Sequence, residues 1–169
     1  MRLVLLAAVG AGFLAGCDRG SRPEAERLRT VHEMIEEIRG DFPDVSTVSV
    51  GELMDLMQTP DGVVLVDVRT EEERSVSTLP GALSPADFES AAHELGGRTV
   101  VAYCTIGVRS SRFAREMAAL GLEVSNLEGS ILAWTHEGGA LVTGGRETSR
   151  VHVYGPSWAL AADGYETVW

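Results

Sequence analysis

The sequence predicts an α/β domain built on a mostly parallel sheet. Three observations lead there. Val63-Val64-Leu65-Val66-Asp67-Val68 and Thr99-Val100-Val101-Ala102-Tyr103 are continuous apolar runs, as strands covered on both faces require. Stretches with apolar residues at three- and four-residue spacing lie between and around them. The two patterns alternate along the chain, which is the order of a layered βα arrangement.

The elements follow in order. Asp18 to Arg22 is a short polar tether. Ser21 and Glu24 have capping-box spacing with Pro23 in the first turn, and Leu28, Val31, Met34, Ile35 and Ile38 form an amphipathic stripe that Gly40 is placed to end. Val45 to Val50 is strand-like. Ser49 and Glu52 form a second capping box ahead of Leu53, Met54, Leu56 and Met57. Thr70 to Arg74 is a short acidic helix or turn, and Phe88 to Leu95 a helix. Ser110 to Leu120 is a helix offering Phe113, Ala114, Met117, Ala118 and Leu120 to a core. Val124 to Leu127 is a third strand and Ile131 begins another helix. After Val142, Thr143-Gly144-Gly145 reads as a flexible break. Arg150 to Tyr154 alternates like a strand, and Trp158, Tyr165 and Trp169 follow. This tail either covers an edge or face of the domain or forms a lid or partner patch near Cys104. The chain thus divides into a leader (1–16), a tether and helix (17–44), a core domain (45–142) and a C-terminal extension (143–169).

Composition narrows the chemistry. The 169 residues suit one domain, with 44% apolar and 23% charged residues. The net charge of -11 repels phosphate backbones and argues against nucleic-acid binding. Every basic residue is Arg, which excludes Schiff-base and P-loop lysine chemistry. Cys17 and Cys104 are too few for a disulfide framework or a four-cysteine zinc site. His32, His93 and His136 lack ligand spacing, and His152 reads as a surface or packing residue, so no metal site is expected.

The N-terminus reads as an address. Arg2 precedes the apolar run Leu3–Ala15, which as a helix spans about 20 Å, short of a ~30 Å hydrocarbon core. Leu14-Ala15-Gly16-Cys17 resembles a bacterial lipobox. That resemblance implies cleavage before Cys17, acylation of Cys17, and an exported, membrane-anchored lipoprotein facing the periplasm. Inner and outer membrane stay open.

The informative stretch is Tyr103-Cys104-Thr105-Ile106-Gly107-Val108-Arg109-Ser110-Ser111, between a predicted strand and a predicted helix. Open α/β sheets place ligands at the carboxyl ends of their strands. A loop wrapped over a helix N-terminus turns amide N–H groups inward, and the helix dipole adds positive potential. A sulfur held there is stabilised as thiolate and becomes nucleophilic near neutral pH. Gly107 permits a tight turn. Arg109 offers planar donors to an anionic substrate or to neighbouring carbonyls, and Ser110 is a candidate helix cap.

These residues resemble the rhodanese family of sulfurtransferases. Cys104 through Ser110 is similar to its active-site loop, Leu65-Val66-Asp67-Val68-Arg69 with Glu72-Glu73 to its first signature, and Leu79-Pro80-Gly81-Ala82 to its second. Leu127-Glu128-Gly129 with Ala133-Trp134 is similar to its C-terminal signature. The resemblance, from about Thr47 to Val142, implies a three-layer α/β sandwich. It makes Cys104 the persulfide-forming nucleophile and Thr105, Ile106, Gly107, Val108, Arg109 and Ser110 its sulfur cradle, with Asp67 and Arg69 as supports behind the site. The chain departs from the family at Ser77-Thr78, where Gly-His is common, and at Ser130, where a second glycine is common.

Sulfur transfer from a small anion such as thiosulfate to a thiol or protein acceptor needs no cofactor beyond the Cys104 persulfide. A non-catalytic or regulatory module that binds a partner or senses sulfur species is the alternative. Phosphatase chemistry fits less well, because four residues separate Cys104 from Arg109 and the resemblance implies five for that activity. Thiol–disulfide exchange lacks a nearby resolving cysteine.

Overall fold

The computed structural model describes residues 22–91 and 96–169. Cys17, the apolar leader, Ser21 and the last part of the predicted Phe88–Leu95 helix lie outside the described residues. Four parallel strands form one sheet in the order β1-β4-β3-β2: β1 is Thr47–Val48, β2 Val63–Asp67, β3 Thr99–Tyr103 and β4 Ser125–Leu127. β2 and β3 pair in full, from Val63 opposite Thr99 to Asp67 opposite Tyr103. Six helices cover the sheet: α1 Glu24–Asp41, α2 Val50–Met57, α3 Glu71–Val76, α4 Pro85–Ala91, α5 Val108–Ala119 and α6 Ser130–His136.

The strand period of two sorts side chains between two cores. Leu65, Val101 and Tyr103 pack with Val31, Leu53, Ile131 and Leu132 from α1, α2 and α6. Val64, Val66 and Ala102 face the other way, onto Phe88 of α4 and Phe113, Ala114 and Met117 of α5. Phe88 and Phe113 meet edge to face at 5.9 Å. The result is the three-layer α/β sandwich that the apolar runs predict.

Several boundaries move for local reasons. Gly40 does not end α1: the helix continues to Asp41, and the Phe42 N–H closes it on the Ile38 carbonyl. The strand over Val45–Val50 shrinks to two residues because Ser49 turns the chain into α2, in a complete capping box with Glu52. Thr70 and Glu73 form another complete box that starts α3. Ser110 is not the cap of α5. Gly107 takes that place with φ 133°, a conformation that only glycine adopts easily, and Ser110 sits buried in the first turn.

The C-terminal extension begins with a hairpin, not a flexible break. β5 (Leu141–Thr143) and β6 (Arg146–Thr148) pair antiparallel around Gly144 and Gly145, whose φ values of 54° and 76° suit a two-residue turn. β7 (Arg150–His152) then pairs in parallel with β8 (Glu166–Val168). Val151, Val153, Leu160 and Ala161 are buried in the same core as α1 and α6. Arg27 of α1, itself buried, donates through Nε to the Ala161 carbonyl at 2.8 Å and through Nη2 to Asp163 at 2.5 Å. The Ala162 N–H donates to Thr135 Oγ1 of α6 at 3.1 Å. Both ends of the described chain are therefore fastened to each other and to α6.

Candidate active site

The carboxyl ends of β2, β3 and β4 meet, and each contributes a piece of the site. β3 delivers Cys104. The Gly107 N–H donates to Sγ at 3.1 Å, and the Ser110 hydroxyl lies 3.5 Å from it. The Ser110 proton also has Asn126 Oδ1 at 2.6 Å and the Gly107 carbonyl at 3.2 Å as acceptors, so it serves one of the three at a time. Burial pushes the Cys104 thiol up. The Ser110 hydroxyl and the N–H groups of Ser110, Gly107 and Ile106 outweigh it, and the pKa falls below the usual thiol value. The amides therefore do turn inward on the sulfur.

Cys104 is only 1% exposed, yet the atoms around it are largely polar. Thr105 and Ser110 belong to its own loop. Asn126 and Ser130 come from the end of β4 and the start of α6. Ser130, at the departure from the paired glycines, holds a left-handed φ of 49°. Its hydroxyl accepts from the Cys104 N–H at 3.0 Å and lies 4.0 Å from Sγ. A glycine there would leave that buried N–H without this acceptor. The backbone of α6 completes the clasp, with Ile131 N–H on the Cys104 carbonyl and Leu132 N–H on that of Thr105, both at 3.2 Å. On another side, a Cβ on Gly107 would stand 3.5 Å from Ile38 of α1. Of the loop, only Val108 and Arg109 are partly exposed, so the mouth lies there.

Arg109 differs from its expected use. It is held in plane by Glu73, with Nη1–Oε2 at 2.7 Å and Nη2–Oε1 at 2.8 Å, and Nη2 also donates to Thr105 Oγ1 at 3.0 Å. Glu73 accepts the Thr70 N–H at 2.9 Å as well. Burial raises its pKa, but Arg109 and the Thr70 amide prevail and hold it at about 2. Over the guanidinium face lies Tyr154 of the C-terminal extension, 5.1 Å from ring centroid to Cζ, with Trp158 edge-on at 5.3 Å. The extension thus reaches the site mouth while also supplying core.

Behind the cradle, Asp67 and Arg69 form a wholly buried pair. Asp67 accepts from Arg69 Nε at 2.9 Å, Arg69 Nη2 at 2.7 Å and the Tyr103 hydroxyl at 2.6 Å. Tyr103 accepts in turn from the Leu79 N–H at 2.9 Å, and Arg69 reaches the Ser77 carbonyl at 2.5 Å. At the other departure, Ser77 thus feeds this network, while Thr78 bridges to Val142. Glu73, Asn126, Ser130 and Tyr154 are the residues that sequence reasoning gave no role in the site. The Thr70–Glu73 spacing signals a helix cap, but nothing local in the sequence brings Tyr154 to position 109. No cluster of three or more potential metal ligands occurs among the described residues.

A parallel sheet ending in a cysteine cradled by helix-start amides defines an α/β protein of the cysteine-loop class. The rhodanese-like domain model matches residues 49–137, and the chain belongs to that family. A thiosulfate sulfurtransferase from Pseudomonas aeruginosa shares the fold at a TM-score of 0.53 and 21% identity, over 68% of this chain and 23% of that one. A Bacillus halodurans protein does so at a TM-score of 0.52 and 20% identity, over 72% of this chain and 87% of its own. By sequence, a tRNA uridine(34) hydroxylase of Bordetella petrii is 32% identical over 126 residues, which is 68% of this chain and 50% of that protein. One from Cupriavidus taiwanensis is 33% identical over 130 residues, 70% of this chain and 46% of that protein. The chain spans about half the length of these curated relatives.

Proposed function

We propose that the protein is a membrane-tethered sulfurtransferase working through a persulfide on Cys104. The carrying observation is the Gly107 N–H, 3.1 Å from Sγ, in a loop that favours the thiolate. The thiolate attacks the outer sulfur of a donor; the donor's S–S bond breaks and its remainder leaves with the bonding pair. With thiosulfate, Cys–S⁻ and S–SO₃²⁻ give Cys–S–S⁻ and sulfite. A thiophilic acceptor such as cyanide then takes the outer sulfur as thiocyanate and restores the thiolate. Because Cys104 is buried, each half-reaction requires side chains at the mouth to move aside. Intact mass of the protein after donor treatment tests this. A gain of one sulfur atom is expected, lost on adding cyanide and absent in Cys104→Ala. A protein that gains no sulfur from any donor is instead a regulatory module.

The relatives' name supports a second reading, in which Cys104 serves a tRNA-modifying reaction. The net charge of -11 weighs against it. Saturable tRNA binding at physiological salt would move the balance.

The apolar run before Cys17 supports an exported protein held by acyl chains on that cysteine. Among the described residues no helix is long and apolar enough to cross a membrane. Labelled palmitate is expected to enter the full chain and to be lost in Cys17→Ala; equal labelling of both would end this reading.

A further inference from the structure

We propose that the site selects sulfur donors bearing one negative charge over doubly charged ones, with Glu73 and Tyr154 setting the preference. This rests on sulfur transfer at Cys104 and narrows its substrate. The cradle's nearest cation is Arg109, and its charge is already committed. Three of its five N–H groups are taken, two by Glu73 and one by Thr105. Glu73 cannot easily turn away, because Thr70 and Thr105 also bond it and its side chain is 4% exposed. The guanidinium face is occupied as well, by the Tyr154 ring. Nε is buried and unpartnered, so Arg109 retains capacity for one more acceptor but not for a second full charge. Arg69, the other cation of the site, is paired with Asp67.

With Arg109 and Glu73 cancelling, the Cys104 thiolate leaves the mouth net negative, in a chain of net charge -11. Such a field repels a dianion about twice as strongly as a monoanion. Thiosulfate and methanethiosulfonate make a matched pair of probes. They differ mainly in a methyl group replacing one charged oxygen. Each delivers the same sulfur: methanethiosulfonate and Cys–S⁻ give Cys–S–S⁻ and methanesulfinate, with atoms and charge conserved.

The test compares kcat/KM for the two donors, with cyanide as acceptor, in the full chain. The ratio of methanethiosulfonate to thiosulfate rates is expected to fall about tenfold in Glu73→Gln. It is expected to fall severalfold in Tyr154→Ala, and to return toward wild type in Tyr154→Phe, which keeps the ring. In the wild type it is expected to shrink as salt rises and screens the mouth. If Glu73→Gln does not fold, the Tyr154 variants and the salt series carry the test. Ratios unchanged across variants and salt, with Cys104 still loaded by both donors, would overturn the proposal and leave sulfur transfer standing. If neither donor loads Cys104, the sulfur-transfer reading itself falls.

Discussion

Asp67→Ala is expected to cost about 4 kcal/mol of stability, or to prevent folding outright. The Asp67 carboxylate is fully buried and accepts from Arg69 at three N–H groups and from the Tyr103 hydroxyl. Without it, a wholly buried guanidinium keeps only the Ser77 carbonyl as a printed side-chain partner and faces the Tyr103 ring at 5.7 Å. Breaking a buried pair from one side typically costs 3–5 kcal/mol, because the surviving charge cannot return to water. Against an ordinary stability of about 5–15 kcal/mol, that removes much of the margin. Tyr103→Phe removes one hydroxyl from the same network, at about 1–2 kcal/mol. Urea unfolding of both variants checks the ranking. A loss under about 1 kcal/mol in Asp67→Ala would mean that the pair does not hold the sheet end together.

The second large effect belongs to Glu73 and depends on pH. Its folded pKa of about 2 lies below the ordinary 4.5. A depressed carboxylate stabilises the fold fully above its unfolded pKa and loses that contribution as pH falls through the folded value. Glu73→Gln is therefore expected to lower stability by about 2–3 kcal/mol at pH 7. The gap to wild type should hold from about pH 8 to 5 and then narrow progressively toward pH 2. Unfolding curves across this range measure the gap directly. A gap independent of pH would show that shape, and not the charge on Glu73, holds Arg109.

The sheet was legible because burial on both faces leaves an unbroken apolar run, at Val63–Asp67 and Thr99–Tyr103. The cradle was legible because its amides come from one contiguous loop after a strand. What failed was what depends on distant partners. Arg109 read as a free cation because Glu73 lies 36 positions away. Thr143-Gly144-Gly145 read as slack because glycine pairs mark both loose chain and tight hairpins, and only the Leu141–Thr148 pairing separates the two. Ser130 read as a departure from a glycine pair, and its hydroxyl acquires meaning only beside the Cys104 N–H.

The Arg27 clasp fixes what counts as the working unit. The segment common to the family ends at residue 137, yet Val31, Ile38, Val151, Val153 and Leu160 lie in the same oily layer as the sheet's inner wall. A piece trimmed to the shared span would present that wall bare to water and would lose the phenol ring above Arg109. Here the ancestral catalyst and its later flanks have become one indivisible object.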